Sequence, residues 1–423
     1  MKVLIVGSGG RSHALAYSVA KSPRVEKIYC APGNAGIGQL AECVSIGAME
    51  FERLAQFAQD NGVDLTIVGM DDPLVGGIVD VFQEKGLRVF GPKKNAAILE
   101  GSKAFSKDLM KKYKIPTAAY ENFENPQEAL EYLRTAKFPI VLKADGLALG
   151  KGVLICNSFE EAQEGVQEIM LDKKFGTAGN TMVVEEFMTG REVSVLSYVD
   201  GTTIKTMTSA QDHKRAQDGD QGLNSGWLGT FSHSPFYTPE IDDYCQKYIY
   251  QPTVDAMKAE GRPFTGIIFF GLMLTAEGPK VLEYNARFGD PEAQVVLPRM
   301  TNDIIEVMEA CIDGTLDSID LQFEDNAAVC VVLASQGYPV KYEKGIPITG
   351  FENFQGKDGY YCFHAGTKLD GGQIVTNGGR VLGITAKGAD LKEARENAYA
   401  ATEWISFANK YMRRDIGKAI DEA

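Results

Sequence analysis

The chain has no cysteine pair at Cys-x-x-Cys spacing. Its seven cysteines, Cys30, Cys43, Cys156, Cys245, Cys311, Cys330 and Cys362, stand singly. An odd, scattered set argues against a disulfide framework and a structural zinc site, and fits a reduced, cytoplasmic protein. Long apolar runs are also missing. No stretch approaches the roughly 20 apolar residues of a membrane span. The opening "MKVLIVG" meets glycines too soon to be expected to act as a signal peptide. Lysine and arginine never gather in a block, and the net charge is −14, which argues against non-specific nucleic-acid binding. Phosphate ligands are not thereby excluded, because they need only local donors. Tryptophan is scarce, with two in 423 residues. One of them, Trp227, stands in "GLNSGWLG", where its neighbours are those of a tight loop.

What is present is a regular alternation of strand and helix signals. "KVLIVG", "VEKIYCA", "LTIVG" and "LRVFG" are β-branched runs, separated by the helical "RSHALAYSVAKS", "FERLAQFAQDNG" and "LVGGIVDVFQEKG". This predicts a doubly wound parallel sheet over residues 1–102, with its functional loops at the carboxyl ends of strands. "GSGGR", "APGN" and "GMDDP" fall there. A second unit, 103–325, begins near "LEGSKAFSKDLMKKYKIP", and within it strands around a helix form a lid over about 120–190. The segment 326–423 is rich in short strands and glycine turns and ends in the helix "LKEARENAYAATEWISF", so a small α+β domain is expected. The fold class is therefore α/β plus α+β. At 423 residues the chain exceeds one ordinary core.

Four stretches carry chemistry. Gly7, Gly9 and Gly10 follow the first strand and open a helix, where backbone N–H groups suit an anion. Ser12 occupies the third glycine position of a dinucleotide fingerprint and no acid ends the second strand, so a smaller phosphate ligand fits better than NAD. In "KADGLALGKGV", Lys143 ends an apolar strand and a glycine loop with Gly150 and Gly152 carries Lys151. Two lysines and a glycine hairpin can cover a polyphosphate, yet the residue after Lys151 is not the Ser or Thr of a P-loop. "VVEEF" ends another strand, with Glu192 soon after; such a segment can read an adenine edge and hold ribose hydroxyls. In "KVLEYNARFGDPEAQ", Glu283 and Asn285 are two apart and share a strand face. Their oxygens suit Mg²⁺, and Arg287 continues the series, where it can stabilise a transferring phosphate or a carboxylate.

Together these residues resemble the ATP-grasp ligases, and more narrowly the phosphoribosylamine–glycine ligase family. The resemblance runs nearly end to end, through "GSGGR", "APGNAG", "LEGSKAF", "KADGLALGKGV", "VVEEF", "QDHKR", "ARFGDPEAQ" and "FHAGTK…VTNGGRVLG". It implies a central ATP-grasp region and a de novo purine-synthesis reaction. ATP phosphorylates the glycine carboxylate, and the amine of 5-phosphoribosylamine attacks the acyl phosphate. It further implies that Lys103 and Lys143 contact ATP phosphates and that Gly150, Lys151 and Gly152 close over them. Glu185, Glu186 and Phe187 would hold adenine, Glu192 the ribose, and Glu283 with Asn285 the Mg²⁺ or Mn²⁺. Arg287, Lys143 and Asp212 would be catalytic. Gly9, Gly10, Arg11, Gly33, Asn34, Asp212, His213, Lys214, Asn224, Ser225, Trp227, Arg287 and Asp290 would line the glycine and amine site. The expected partners are small molecules only, with no nucleic acid and no membrane, and the expected assembly is a monomer or weak dimer.

The sequence departs from the family pattern in its loops. "GRSHAL" replaces "GREHAL", so Ser12 stands for a carboxylate. "LNSGWLG" replaces a segment close to "PNTGGMG", so Leu223, Ser225, Trp227 and Leu228 stand for Pro, Thr, Gly and Met. His233 stands for a Pro. Three readings are open: an ordinary glycine ligase, a ligase with an altered amine acceptor marked by Ser12, Trp227, Leu228 and His233, and a catalytically silent nucleotide-binding paralogue. The intact Lys143, Glu283, Asn285 and Arg287 argue against the last.

Overall fold

The structure is a computed structural model that describes residues 1–148 and 150–423. The first unit is a five-stranded parallel sheet, ordered Glu42–Cys43, Lys27–Pro32, Lys2–Gly7, Leu65–Val68, Val89–Phe90. Both faces of its inner strands are covered, which is why these read as apolar runs, while the edge strand Glu42–Cys43 is exposed. Val3 and Ile5 join one core cluster, and the alternate residues Leu4 and Val6 join another. The chain turns back at the gap between Lys2–Gly7 and Leu65–Val68. "GSGGR" and "GMDDP" leave from the carboxyl ends of these two strands, so both loops sit at the switch point. The expected single helix after "GMDDP" is two helices, Asp71–Gly76 and Ile78–Glu84. Gly77, at φ 99°, breaks it by entering the left-handed region that glycine adopts without strain.

The central region contains two antiparallel sheets facing one another across a cleft. The lid sheet runs Tyr120–Phe123, Met182–Glu186, Ile140–Ala144, Val153–Cys156. Its alternation is strict. Ile140, Leu142 and Ala144 pack with Leu133 and Val166 of the covering helices, while Val141 and Lys143 face the cleft with Val153 and Ile155. The platform sheet runs Ile204–Thr206, Arg191–Asp200, Thr265–Thr275, Gly278–Asn285. Its last pair shifts register between Gly271 and Leu272, pairing Gly271 with Glu283 and Leu272 with Val281. Leu282 is thus an extra residue. The bulge lets Leu282 and Glu283, neighbours in sequence, both line the cleft.

The third sheet does not come from the C-terminal segment alone. Its order is Gln211–Asp212, Gly229–Ser232, Ala327–Ser335, Arg380–Gly388, Tyr360–His364, with Lys410–Tyr411 pairing Ala327–Ser335. Two of its strands are therefore drawn from the central region. "QDHKR" begins at the end of one of them, and "GLNSGWLG" leads into the other. The loop between them is held at the cleft by strands that belong to a different layer. No helix among the described residues is long and apolar enough to cross a membrane.

Candidate active site

The cleft has two adjoining chambers, of about 700 and 520 Å³. Lys143, Gly150, Val153, Glu185, Asn224, Ser225, Trp227, Leu282 and Glu283 border both. The larger chamber has apolar walls, Val141, Val153 and Ile155 from the lid against Met273 and Leu282 from the platform. Glu186, Phe187 and Glu192 lie at its edge. That is a slot for a flat ring with polar groups at one end. The smaller chamber is charged. Arg11, Asp71, Glu100, Lys103, Arg287, Asp290, Glu292 and Arg380 line it.

Lys143 does not stand alone. Its Nζ lies 2.7 Å from one Glu185 oxygen, and Lys107 Nζ lies 3.1 Å from the other. All three are nearly inaccessible to water. Burial opposes ionisation of Glu185, but the two ammonium groups more than offset it and lower its pKa. Burial likewise depresses the Lys107 ammonium, against the pull of Glu185. Lys103 opens the helix Lys103–Lys112, whose N-cap Ser102 accepts from the Phe105 N–H at 3.1 Å and donates to Asp145 at 3.0 Å. Lys103 Nζ donates to the Gly146 carbonyl at 3.0 Å, so "LEGSK" is tied to "KADG".

Glu283 faces four cations. Burial works against its charge, but Lys214, Lys143, Lys103 and Arg287 more than offset it, and its pKa is lowered. A carboxylate kept ionised out of water, with the Asn285 amide oxygen two residues on, suits a hard divalent cation. Among the described residues no group of three or more His, Cys, Asp or Glu side chains gathers as a metal cage. Phosphate oxygens and water would have to complete the coordination sphere. Arg287 pairs with the buried Glu100 at 3.2 Å, and Glu100 also accepts from the Ala286 N–H at 2.8 Å. Burial raises Glu100, opposed by Arg287. The Arg287 Nε is buried and has no hydrogen-bond partner among the described residues. Burial also raises Asp212 and Glu292 above the ordinary carboxylate range, and Lys214 opposes the shift at Asp212. Lys214 pairs with Glu192.

Three family models together match most of the chain: the phosphoribosylglycinamide synthetase N domain at residues 1–100, its ATP-grasp (A) domain at 101–293 and its C domain at 328–419. The chain belongs to the phosphoribosylglycinamide synthetase family. A phosphoribosylamine–glycine ligase of Caldanaerobacter subterraneus subsp. tengcongensis is 50% identical over 98% of this chain and 99% of its own. One from Vibrio cholerae is 47% identical over 99% of this chain and 98% of its own. The crystal structure of phosphoribosylamine–glycine ligase from Thermotoga maritima superposes with a TM-score of 0.86 at 33% identity, covering 99% of this chain and all of that one. The biotin carboxylase domain of Hydrogenobacter thermophilus 2-oxoglutarate carboxylase matches at a TM-score of 0.75 and 17% identity, over 97% of this chain and 91% of that one, which is a likeness of fold.

Within this family member, the residues singled out from the sequence divide clearly. Lys103, Lys143, Gly150, Lys151, Gly152, Glu185, Glu186, Phe187, Glu192, Arg11, Asp212, His213, Lys214, Asn224, Ser225, Trp227, Glu283, Asn285, Arg287 and Asp290 all border one chamber or the other. Gly9, Gly10, Gly33 and Asn34 do not. The first two pack against Asp290 and Gln294. The Asn34 amide is consumed by donating to the Ser8 and His364 carbonyls and accepting from the Gly36 and Ile37 N–H groups.

Three of these side chains are already engaged by neighbouring residues. The Glu185 side chain neutralises two lysines and is not free for adenine. His213 reaches the larger chamber's wall, yet both its ring nitrogens are used. Nδ1 donates to the Gly229 carbonyl at 3.2 Å, and Nε2 accepts from the Gly417 N–H at 3.1 Å. Burial depresses its pKa to about 4, so it is a neutral strut. Asp290 accepts from the Arg11 N–H and the Gln294 amide and pairs with Arg380 at 3.7 Å. Burial opposes its charge, and Arg380 and Arg11 restore it.

The loop departures divide too. Ser12 is buried beneath Gly7, Leu228 is core, and His233 is exposed away from both chambers. Only Trp227, of the four that marked an altered acceptor, reaches the cleft. Lys107, Glu100, Glu292 and Arg380 were missed. Lys107 carried a signal, lying one helical turn after Lys103. Arg380 sat in a recognised motif but had no role until the fold brought it to Asp290.

Proposed function

We propose that this chain is an ATP-dependent ligase that joins glycine to 5-phosphoribosylamine, giving glycinamide ribonucleotide, ADP and phosphate, in the cytoplasm. The observation that carries the reading is the convergence of Lys103, Lys143, Glu283, Asn285 and Arg287 on a cleft between two facing sheets. The adenine lies in the apolar slot between the lid valines and Met273 and Leu282, with residues 185–187 at its edge and Glu192 toward the ribose. The triphosphate runs toward Lys143, Lys103 and the glycine loop carrying Lys151. Glu283 and Asn285 would hold Mg²⁺ or Mn²⁺, which would supply charge neutralisation for the phosphates.

A glycine carboxylate oxygen attacks the terminal phosphorus, the bond to the β-phosphate oxygen breaks, and ADP leaves. The amine nitrogen then bonds to the acyl carbon, the acyl–oxygen bond breaks, and phosphate departs. Arg287 offers its guanidinium to the charge that builds on the transferring group. The Asp212–Glu292 pair, made more basic by burial, receives the proton lost by the attacking amine. No nucleophilic side chain is required, so positioning and charge neutralisation do the work. The lid excludes water from an acyl phosphate that would otherwise hydrolyse.

The test is turnover. ADP release should depend on both glycine and phosphoribosylamine, with glycinamide ribonucleotide formed in equal amount. ADP release with glycine but no dependence on phosphoribosylamine sinks the acceptor assignment.

A further inference from the structure

Trp227 carries two features that local packing does not explain. Its backbone lies at φ 77°, a region in which a bulky L-residue is an outlier. Its indole Nε1–H is shielded from solvent and has no acceptor among the described residues, although an indole nitrogen can only donate. The backbone around it is firmly tied. The Trp227 N–H donates to Ser225 Oγ at 3.1 Å, and the Gly226 N–H donates to the Tyr338 hydroxyl at 2.7 Å. Arg380 donates to the carbonyls of Gly226 and Trp227. The fold thus invests four hydrogen bonds in holding this residue in an unfavourable conformation and leaves its one side-chain donor unpaired. The residue borders both chambers, beside Lys143, which also borders both.

We propose that the indole N–H of Trp227 is a ligand donor, which in the loaded cleft hydrogen-bonds to an anionic phosphate oxygen at the junction of the two chambers. The inference rests on the reading of the cleft as a substrate site. Its warrant is chemical. The smaller chamber, which Trp227 borders, carries Arg11, Lys103, Lys143, Lys151, Arg287 and Arg380, groups that suit an anion, and an unpaired donor there is repaid only when an acceptor arrives. The oxygen comes either from the nucleotide's phosphates or from the phosphate of the amine substrate.

The experiment uses the full chain labelled with ¹⁵N at the indole nitrogens. Trp227 and Trp404 give two resonances, assigned with W227F. Trp404 is an internal control, packed on Phe354 and Tyr360 away from the cleft. Magnesium with a non-hydrolysable ATP analogue and ribose 5-phosphate are added separately. The Trp227 indole proton is expected to move downfield with one probe while Trp404 stays fixed, and that probe identifies the source of the oxygen. By calorimetry W227F, which keeps an aromatic ring of smaller size and loses the donor, should bind the same probe about tenfold more weakly. Binding of both probes with the Trp227 resonance unmoved overturns the proposal, and so does equal affinity in W227F. If W227F does not fold, the wild-type shift still decides. If neither probe binds, the substrate-site reading falls and the donor with it, a result distinct from binding without a shift.

Discussion

Replacing Glu185 by glutamine removes one negative charge and almost no volume, so its effect isolates electrostatics. In the native protein that carboxylate serves Lys143 at 2.7 Å and Lys107 at 3.1 Å. At an effective dielectric of about 20 the two attractions are about 6 and 5 kcal/mol. Desolvation of three groups that are 3%, 3% and 6% exposed offsets much of this. Once the shared anion is gone, two ammonium groups remain buried without a partner, and the expected loss of stability is about 3–5 kcal/mol. One lysine must then shed its proton, Lys107 first, since burial already depresses it. E185Q should lower the unfolding midpoint in urea and cut ADP release by on the order of 100-fold, because the Lys143 charge is no longer held in place. The decisive arm is the second substitution. K107M in the E185Q background removes one of the two stranded charges and should recover at least about 1 kcal/mol of the lost stability. If K107M adds to the damage instead, the three groups do not act as a shared-charge unit and the reasoning is wrong.

Three further outcomes are expected. E283Q should raise the divalent metal concentration needed for half-maximal ADP release at least about tenfold, the loss typical of even a supporting metal-site residue; an unchanged metal requirement removes Glu283 from that role. His13 and His364 are buried, with the His364 N–H donating to His13 Nδ1 at 2.7 Å, and burial depresses them to about 3 and about 4. The unfolded chain takes up these protons near pH 6.5 and the folded one does not, so the neutral pair's contribution is full above about 6.5 and falls toward 4, by about 2 kcal/mol per histidine at pH 5; urea midpoints equal at pH 7 and pH 5 contradict this. R380A removes donors to the Gly226, Trp227 and Asp290 carbonyls, so protease should cut the 213–228 loop faster than in wild type, and R380K should not restore protection because an ammonium lacks the fork.

The parallel sheet was legible because its strands are buried on both faces and read as unbroken apolar runs. The shared face of Glu283 and Asn285 was legible because a strand's two-residue period survives up to its end. The bulge at Leu282 was not, since nothing in "KVLEYN" marks where the neighbouring strand slips by one residue. The partners of the Glu185 side chain were not legible for a related reason. A carboxylate at a strand end signals a charge but not its partner, and Lys107 approaches from a helix more than seventy positions away. Ser12, Leu228 and His233 misled because a departure in a functional loop says nothing about which way its side chain points.

The sheet that borrows Gln211–Asp212 and Gly229–Ser232 from the middle of the chain has a consequence for the order of assembly. The loop between those strands is closed by contacts from residues some two hundred positions further along the chain. The Gly417 N–H reaches His213 across 204 positions, and Arg413 reaches the Arg215 carbonyl across 198. Contacts of such separation form late, after the loop-closure entropy has been met. A nascent chain that has finished its lid and platform, and so can already grip a nucleotide, still lacks the fixed wall that faces the acceptor. The wall that carries His213 is therefore fixed later than the lid and the platform, and the site is assembled in two stages.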